Sequence, residues 1–471
     1  MKKIYHILIG IALVSTAGCS CSKTEEGNDT GDPSLKVNIS ERTVSGSAGS
    51  FEIYITSNTS WQITSQADWI TASPESGEGN RSVTIEYEAS ETDRSGNVRI
   101  SAEGTTPVVI SVKQLNRTFT NPISPWTMPD PYIVKDGSYY YVCKAMGNGI
   151  GVSRSTKLTE IQSSTPKVFS APSAVSSSVW NLADYWAPEL FHIDNRWYIY
   201  YAAGEGKSNV GSYDTQRTGV LRSKSDDPTG DWEDMGMIFT GDEEDFKKVT
   251  VGDNSTNNVN NTVYAIDMTT FELNGQRYAV WSGNRSREDG SKQDIYIATM
   301  SNPYTITSPR VEISRADQPW EMITTSNSIN EGPAILINEE AQKLFCVYSC
   351  NGSWTTNYRL GYLMLDMKTG DPMNPDDWTK SPNEVFYRYD GNKTTDSIDG
   401  GVNGVGHCSF TKSPDGTEDW IIYHTIRTSD GGWSDRWAFA QKVNWNADGT
   451  PDFGEPAGWG EALAVPSGEI L

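Results

Sequence analysis

Short runs in which apolar and polar residues alternate, separated by clusters of turn residues, begin near residue 35 and continue along the rest of the chain. Alternation with a period of two, bounded by Gly, Pro, Asn, Asp and Ser, predicts short β-strands rather than helices. Between residues 35 and 116 the spacing of the runs is typical of a small immunoglobulin-like β-sandwich. The strands predicted for this first unit lie at 51–55, 61–63, 83–87, 98–101 and 108–112.

From residue 119 to residue 471 one hairpin pattern occurs five times. Each copy has a strand, a turn such as Asp-Gly, Asp-Asn or Asn-Gly, and a returning strand rich in aromatic and β-branched residues. Successive copies begin about 57 to 80 residues apart, which is enough for a four-stranded sheet and its loops. The sequence therefore predicts an all-β protein in which a five-bladed β-propeller follows the sandwich. The five copies begin at Asp130, Ala187, Asp267, Glu331 and His407.

Four of these starting residues carry acidic or imidazole side chains. Because the innermost strands of a propeller converge on its axis, we expect Asp130, Asp267, Glu331 and His407 at one mouth of the channel. Two carboxyl groups about 6.5–9.5 Å apart can activate water and protonate a leaving oxygen, as inverting cleavage of a glycosidic bond requires. A third carboxylate would raise the pKa of the acid and keep it protonated near neutral pH.

The composition excludes some partners and favours others. A net charge of -23 leaves no basic surface for phosphate backbones, so we expect no nucleic-acid partner. An uncharged glycan fits better. The chain has 16 Trp and 22 Tyr, and flat rings can stack against the C–H faces of sugars, although packing in β-rich cores explains most of them.

Residues 1–18 have the pattern of a secretory signal, because Lys2 and Lys3 precede an apolar run that is too short to remain as a membrane-spanning helix. The small residues before Cys19 resemble a bacterial lipoprotein cleavage site. This resemblance implies a lipid on Cys19 and a flexible tether over residues 19–34. The alternatives are lipidation of Cys21 or plain secretion. We expect an exported outer-membrane lipoprotein, at the cell surface or in the periplasm, whose only membrane attachment is the lipid.

Four further cysteines are widely spread and match no zinc-binding spacing. We expect buried thiols, or one disulfide at most. These residues are Cys143, Cys346, Cys350 and Cys408.

The first unit resembles a BACON domain. The features that carry this resemblance are Trp61 and Trp69, the Ser-Pro pair at 73–74, the Arg-Ser-Gly at 94–96 and the closing Val-Lys-Gln at 112–114. The family name implies carbohydrate binding. A stalk that holds the second unit away from the membrane is the alternative, and both remain open.

Residues 121–471 resemble glycoside hydrolase family 43. The resemblance implies a five-bladed propeller in which Asp130 is the general base, Asp267 the pKa modulator and Glu331 the general acid. The run Trp-Ala-Pro-Glu-Leu at 186–190 matches the second-blade motif of the family, which implies that Trp186 and Glu189 support the pocket.

Three stretches narrow the resemblance to the α-L-arabinofuranosidase branch of the family. Cys408 departs from the usual Gly-His-Asn-Ser-Phe motif of the fifth blade, since it stands where that motif has Asn. The three stretches lie at 330–334, 406–416 and 445–451.

The family resemblance also implies a calcium ion on the propeller axis, with His407 as a direct ligand and water in most of its shell. Imidazole is an unusual calcium ligand, so hydrogen bonding of His407 to an axial water is the alternative. Candidate sugar contacts around the mouth, besides Trp186, are Trp126, Trp281, Arg285 or its competitor Arg287, Tyr358 and Trp433.

These features together predict an exo-acting, inverting α-L-arabinofuranosidase that acts as a monomer on plant cell-wall polysaccharides such as arabinan, arabinoxylan or arabinogalactan. A β-D-xylosidase or an exo-galactosidase on the same scaffold is the first alternative, since one fold hosts several specificities. A surface glycan-binding lipoprotein without catalysis is the second. We expect no organic cofactor.

Overall fold

The computed structural model describes residues 32–162, 164–173, 180–206, 214–286, 292–323, 328–388, 402–428 and 432–470. The predicted signal at 1–18, Cys19 and the tether up to residue 31 lie outside the described residues. Within the described ranges no helix has both the length and the apolar character needed to cross a membrane.

The first unit is a β-sandwich of two mainly antiparallel sheets, with strand orders β1-β3-β7-β5 and β2-β9-β8-β4-β6. Alternate residues of the longer strands point inward and are buried, as the period of two predicts. Trp61 and Trp69 belong to this core rather than to the surface. The strands are Leu35–Val37 (β1), Glu41–Ser45 (β2), Gly49–Ser57 (β3), Ser60–Ser65 (β4), Ile70–Ser73 (β5), Ser76–Glu78 (β6), Arg81–Tyr87 (β7), Arg94–Ala102 (β8) and Val108–Leu115 (β9).

The second unit follows strand β10 (Thr118–Thr120) and begins with two four-stranded antiparallel meanders. The first meander consists of Tyr132–Asp136 (β11), Tyr139–Ala145 (β12), Gly149–Ser155 (β13) and Lys167–Ser170 (β14). The second consists of Ala183–Ile193 (β15), Arg196–Gly204 (β16), Arg217–Ser223 (β17) and Trp232–Met237 (β18).

The third and fourth meanders share one nine-stranded sheet, because β21 and β24 pair in parallel over two residues. The third consists of Ile266–Leu273 (β19), Gln276–Asn284 (β20), Lys292–Asn302 (β21), Thr305–Ile306 (β22) and Val311–Ser314 (β23). The fourth consists of Ser328–Asn338 (β24), Lys343–Cys350 (β25), Arg359–Asp366 (β26) and Thr379–Lys380 (β27).

The fifth meander consists of Asn403–Lys412 (β28), Asp419–Ile426 (β29), Arg436–Trp445 (β30) and Pro451–Asp452 (β31), and the last strand is Ala462–Ala464 (β32). The helices in the described ranges are short. They are the α-helix Glu243–Phe246 (α1) and the 3-10 helices Asn254–Thr256, Pro319–Glu321 and Pro375–Asp377.

Five apolar cores, each between two neighbouring meanders, join the sheets into a ring. Buried residues of the first and second meanders form one core, and the second with the third, the third with the fourth and the fourth with the fifth form three more. In the fifth core Ile133 and Tyr140 pack with Trp420 and Ile422, which closes the ring from the last meander to the first. Fully burying each such side chain contributes about 1.5–3 kcal/mol. The second unit is therefore a β-propeller.

The end of the chain fastens the sandwich to the propeller. Strand β32 pairs antiparallel with β10, the strand that leaves the sandwich. Arg42 in the sandwich forms an ion pair with Glu461 at 3.4 Å. The carboxylate of the buried Glu469 accepts a hydrogen bond from the backbone N–H of Leu158, at 2.8 Å.

The four cysteines predicted to be buried are buried, and all are free thiols: Cys143, Cys346, Cys350 and Cys408.

Candidate active site

Each meander has a residue in the left-handed region of backbone conformation on its first strand, or just before that strand in the first meander. In four of the strands this residue belongs to a β-bulge. In β19, for example, the three steps from Ile266 to Thr269 lie opposite only two steps of β20. A bulge bends its strand and re-aims the side chains beside it. The five residues and their φ angles are Asp130 (50°), Ala187 (39°), Asp267 (54°), Gly332 (57°) and His407 (43°).

This repeat corrects the predicted register of Glu331 by one residue. Gly332, not Glu331, occupies the position equivalent to Asp130, Asp267 and His407. A Cβ atom on Gly332 would lie 3.1 Å from Nδ1 of His407, so both the positive φ and the close ring favour glycine there. Glu331 enters the same cavity from the preceding position.

Asp130 is surrounded by cationic and imidazole groups. Its Oδ1 lies 2.8 Å from Nη1 of Arg436 and 3.4 Å from Nδ1 of both His407 and His424. The backbone N–H of Asp130 donates to Nδ1 of His424 at 3.2 Å. Burial alone would raise the pKa of Asp130, but Arg436, His407 and His424 together hold it well below its usual range. Asp130 is therefore a carboxylate across the working pH range.

Glu331 has the opposite environment. Its Oε1 accepts a hydrogen bond from the hydroxyl of Tyr358 at 2.9 Å. Burial raises the pKa of Glu331 to about 7, and the negative charge of Asp130 adds to this, whereas the bond from Tyr358 and the charge of Arg436 oppose it. Glu331 therefore keeps its proton at pH values where Asp130 has lost its own.

Asp267 is the third carboxyl group of the cluster. Its Oδ2 accepts the backbone N–H of Gly332 at 3.0 Å, which ties the third meander to the residue next to Glu331. Burial and the charges of Glu331 and Asp130 raise the pKa of Asp267, while His407 opposes the shift. Because Asp267 and Glu331 interact, protonation of either one affects the other.

These residues line one open cavity of about 330 Å³, at the small end of the range for small-molecule sites. The structure thus brings together Asp130, Asp267, Glu331 and His407, which the sequence placed at the starts of different hairpins. Trp186 and Trp433 also line the cavity. The other described residues that line it are Tyr264, Ile266, Gln293, Ser353, Trp354 and Arg436.

Glu189 does not line the cavity. Its side chain is buried, and burial together with the charge of Asp267 raises the pKa of Glu189 well above its usual range. Trp186, three residues earlier, reaches the cavity from the same strand.

Four residues predicted as sugar contacts do not line the cavity, and one of them is Tyr358, which is buried and donates to Glu331. Trp281 is fully buried in the core between the second and third meanders, because strand β20 faces it inward. Arg285 makes two hydrogen bonds, of 2.7 and 2.8 Å, to the buried carboxylate of Asp294. Trp126 packs beside the core that closes the ring, with the ammonium of Lys144 4.3 Å from its ring centre. Arg287, the alternative to Arg285, lies outside the described residues.

Several residues of the site were absent from the sequence-based prediction, among them three that matter for its chemistry or its mouth. His424 and Arg436 lie on the second and third strands of the fifth meander, and Trp354 lies on the loop after β25. Two features of the sequence could have identified His424. The chain has only four histidines, and this one directly follows the last predicted hairpin. Nothing in the local sequence pointed to Arg436, because its role depends on strand pairing.

The described residues do not by themselves build a metal site. Among them, no three His, Cys, Asp or Glu side chains are arranged to hold an ion. His407 supplies one imidazole, whereas calcium takes six to eight oxygen ligands. A calcium ion at His407 would therefore have to draw most of its ligands from water.

The arrangement can carry acid and base chemistry at the same time. Asp130 is an ionised acceptor, and Glu331 in the same cavity is a protonated donor below about pH 7. Carboxyl groups whose environments push their pKa values apart are suited to deprotonate water and to protonate a leaving oxygen, respectively.

Comparisons with known proteins identify relatives of this chain. The chain is 34 % identical over 371 residues to an extracellular exo-α-(1→5)-L-arabinofuranosidase of Streptomyces avermitilis, covering 75 % of this chain and 66 % of that protein. It is 33 % identical over 337 residues to α-L-arabinofuranosidase B of Pyricularia oryzae, covering 69 % and 61 %. The crystal structure of an α-L-arabinofuranosidase from Lactobacillus brevis matches with a TM-score of 0.60 at 28 % identity, covering 72 % of this chain and 98 % of that one.

The propeller, its carboxyl cluster and these relatives together define the protein as a glycoside hydrolase. The chain belongs to the glycosyl hydrolases family 43, whose family model matches residues 119–451. A BACON domain model matches residues 59–115 within the sandwich. The matched part of the chain spans about two thirds or less of the two curated relatives.

Proposed function

We propose that the protein is an exo-acting, inverting α-L-arabinofuranosidase that releases arabinose from arabinan, arabinoxylan or arabinogalactan. The observation that carries the proposal is a pair of carboxyl groups in one cavity whose pKa values are shifted in opposite directions. Asp130 has a lowered pKa beside Arg436, and Glu331 has a raised pKa through burial. The choice of sugar is supported by the names of the relatives, which are arabinofuranosidases of bacteria and fungi.

In the proposed reaction Asp130 accepts a proton from a water molecule, whose oxygen attacks the anomeric carbon of arabinose. The bond from that carbon to the leaving oxygen breaks, and Glu331 gives its proton to this oxygen. Asp267 acts on Glu331 by favouring its protonated form. Each general acid or base is expected to contribute about 10²- to 10⁴-fold to the rate.

Arg436 and His407 serve Asp130 in this scheme. Their positive or polar groups lie within 2.8–3.4 Å of its Oδ1 and keep it ionised and fixed in direction. His424 remains neutral, because burial lowers its pKa to about 4, and its Nδ1 holds the backbone of Asp130. These residues position the base and do not exchange protons with the substrate.

Export is part of the proposal, because two relatives carry the word extracellular in their names. We propose further that Cys19 bears the lipid and that the monomeric enzyme acts at the outer membrane. Metabolic labelling with a tagged fatty acid tests the anchor. A Cys19→Ser variant should lose the label, whereas retained label would move the assignment to Cys21.

Calcium near His407 remains a separate proposal, and no step of the reaction depends on it. Its test is metal analysis of the purified protein together with thermal melting before and after dialysis against a calcium chelator. One equivalent of calcium and a lowered melting temperature are expected. Absence of bound calcium, with unchanged melting, would contradict the proposal and leave His407 as a partner of Asp130 alone.

The experiment that tests the function is hydrolysis of a panel of arabinofuranosides, xylosides and galactosides, followed by proton NMR. We expect release of arabinose, first as the anomer inverted relative to the substrate. Asp130→Asn and Glu331→Gln should each lose at least about 100-fold of the activity on unactivated substrates. Asp136→Asn, an exposed acid on β11, is the matched control and should keep it. Hydrolysis of xylosides or galactosides alone would replace the sugar assignment, and retention of configuration would contradict the mechanism.

A further inference from the structure

Two tryptophans on neighbouring loops form the outer edge of the cavity. The rings of Trp354 and Trp433 meet edge to face, with centroids 5.5 Å apart and planes at 70°. They are also the most exposed of the aromatic residues lining the cavity, at 37 % and 55 %. Exposed large aromatic rings beside a site need an explanation other than core packing.

Contacts between the two loops hold these rings in place. The backbone N–H of Gly432 donates to the carbonyl of Trp354 at 2.9 Å, and Nε1 of Trp433 donates to the hydroxyl of Ser353 at 3.4 Å. A Cβ on Gly352 would lie 2.7 Å from the Trp354 ring, so a glycine is required for the observed ring position. The pair is therefore preorganised, which reduces the entropy lost when a ligand binds.

Each tryptophan is connected to one carboxyl group of the site. The loop that carries Trp354 also carries Tyr358, which donates to Glu331. At the start of β30, just after the other loop, Nε of Arg436 donates to the carbonyl of Trp433, and Nη1 of the same residue pairs with Asp130. The aromatic pair thus lies at the open end of the cavity whose buried end holds the carboxyl groups.

We propose that Trp354 and Trp433 form the binding site for the sugar ring on the leaving side of the scissile bond. This inference rests on the proposed exo-acting hydrolase. The sugar to be released must lie among the buried carboxyl groups, so the remainder of the glycan leaves through the mouth and meets these two rings. The open face of Trp433 suits the C–H face of a neutral pentose or hexose residue.

The two rings have different parts in this site. The larger exposed fraction of Trp433 makes it the stacking surface, and the edge contact from Trp354 supports it from the side. A neutral glycan fits because stacking on these rings requires no charge on the ligand. The site determines which glycans are good substrates without touching the bond that is broken.

The test compares two substrates that differ only in the leaving group: an arabinobiose or arabinotriose, and methyl α-L-arabinofuranoside. For Trp433→Ala we expect kcat/KM on the oligosaccharides to fall about tenfold or more. The value for the methyl glycoside should change by less than about threefold, and the inhibition constant of free arabinose should stay the same. Trp354→Ala should give a smaller loss of the same kind, and Trp433→Phe should recover part of the activity.

Tyr139→Ala removes an exposed aromatic residue outside the cavity and serves as the control, with melting temperatures to show that each variant is folded. Equal losses on both substrates, or no loss on the oligosaccharides, would overturn the inference. These outcomes are distinct from failure of the proposed function, in which the unsubstituted protein releases no arabinose from either substrate.

Discussion

The hydroxyl of Tyr358 donates a hydrogen bond to Oε1 of Glu331 at 2.9 Å, and its ring stacks on His424 with centroids 5.4 Å apart and planes at 5°. A protonated carboxyl group has one accepting oxygen and one donating hydroxyl. Because Oε1 already accepts from Tyr358, the proton of Glu331 is carried by Oε2. Tyr358 therefore orients the proposed acid and stacks on His424. His424 in turn accepts the backbone N–H of the proposed base, Asp130.

Tyr358→Phe should change the pH dependence of the enzyme as well as its rate. The bond from Tyr358 lowers the pKa of Glu331, so its removal should shift the alkaline limb of kcat/KM to higher pH. On arabino-oligosaccharides below that limb we expect a loss of about 10- to 150-fold, since a hydrogen bond to a charged group is worth about 1.5–3 kcal/mol. Tyr362→Phe, on strand β26 and outside the cavity, is the control. An unshifted alkaline limb would contradict the assignment.

The unsubstituted enzyme should lose activity on the alkaline side and keep it in moderate acid. Glu331 must be protonated to act, and its pKa is raised to about 7, so kcat/KM should fall as the pH exceeds about 7. Asp130 must be ionised, and its lowered pKa places the acidic limb below the usual range for aspartate. An aryl arabinofuranoside with a good leaving group should show a shallower alkaline decline than an oligosaccharide. The same steep decline on both would contradict the role of Glu331.

Glu331→Gln should make the protein more stable at alkaline pH while it inactivates the enzyme. The unfolded carboxyl titrates near 4.5 and the folded one near 7, so the stability contributed by protonated Glu331 is full below 4.5 and lost as the pH rises through 7. Gln cannot ionise, so the variant should gain on the order of 2–3 kcal/mol over the unsubstituted protein at pH 8. The two proteins should melt alike near pH 4.

Asp130→Asn is a control for which the expected change in stability has the opposite sign. Its lowered pKa means that ionised Asp130 stabilises the fold above its unfolded pKa, and that this contribution is lost as the pH falls through the folded value. The variant should therefore be less stable than the unsubstituted protein at neutral pH. If Glu331→Gln and Asp130→Asn both raised the melting temperature, or both lowered it, the opposite pKa shifts assigned to the two carboxyl groups would be contradicted.

Gly332→Ala should reduce activity by moving His407, and Gly275→Ala separates this effect from backbone strain. Both glycines have positive φ angles, 57° and 77°, and either substitution should cost about 1–2 kcal/mol of stability. Only the Cβ at residue 332 meets another group, the His407 ring at 3.1 Å, whereas nothing lies within 4 Å at residue 275. Melting curves and kcat/KM should show similar destabilisation, with loss of activity confined to Gly332→Ala. Equal activities would contradict this role of the glycine.

The sequence allowed the propeller and its converging residues to be predicted because both depend on local patterns. Each hairpin has its own turn and aromatic return strand, and the repeat places Asp130, Asp267 and His407 at equivalent points. The one-residue error at Glu331 has a physical cause. Its strand has an extra residue at a bulge, and the apolar pattern does not reveal which of two adjacent residues the bulge includes.

Other parts of the site depend on contacts distant in sequence. Trp281 and Arg285 stand near the end of a strand and resemble ligand contacts, yet one fills a core and the other pairs with Asp294. Arg436 reaches Asp130 across 306 positions, and only the pairing of β29 with β30 and the closing of the ring bring the two together. Local periodicity carries no information on such pairs.

The bulge in β24 also determines which way Glu331 points. Side chains of a regular strand point alternately to the two faces of the sheet. A single extra residue therefore moves every side chain on one side of the bulge to the opposite face. Deleting one residue at 332–333 would leave the hairpin able to pair, but it would turn Glu331 relative to the rest of its strand. The acidity of the site can therefore be changed by the length of a strand as well as by its side chains. A family built on this fold can gain or lose a functional group through a single-residue insertion or deletion, without a new fold.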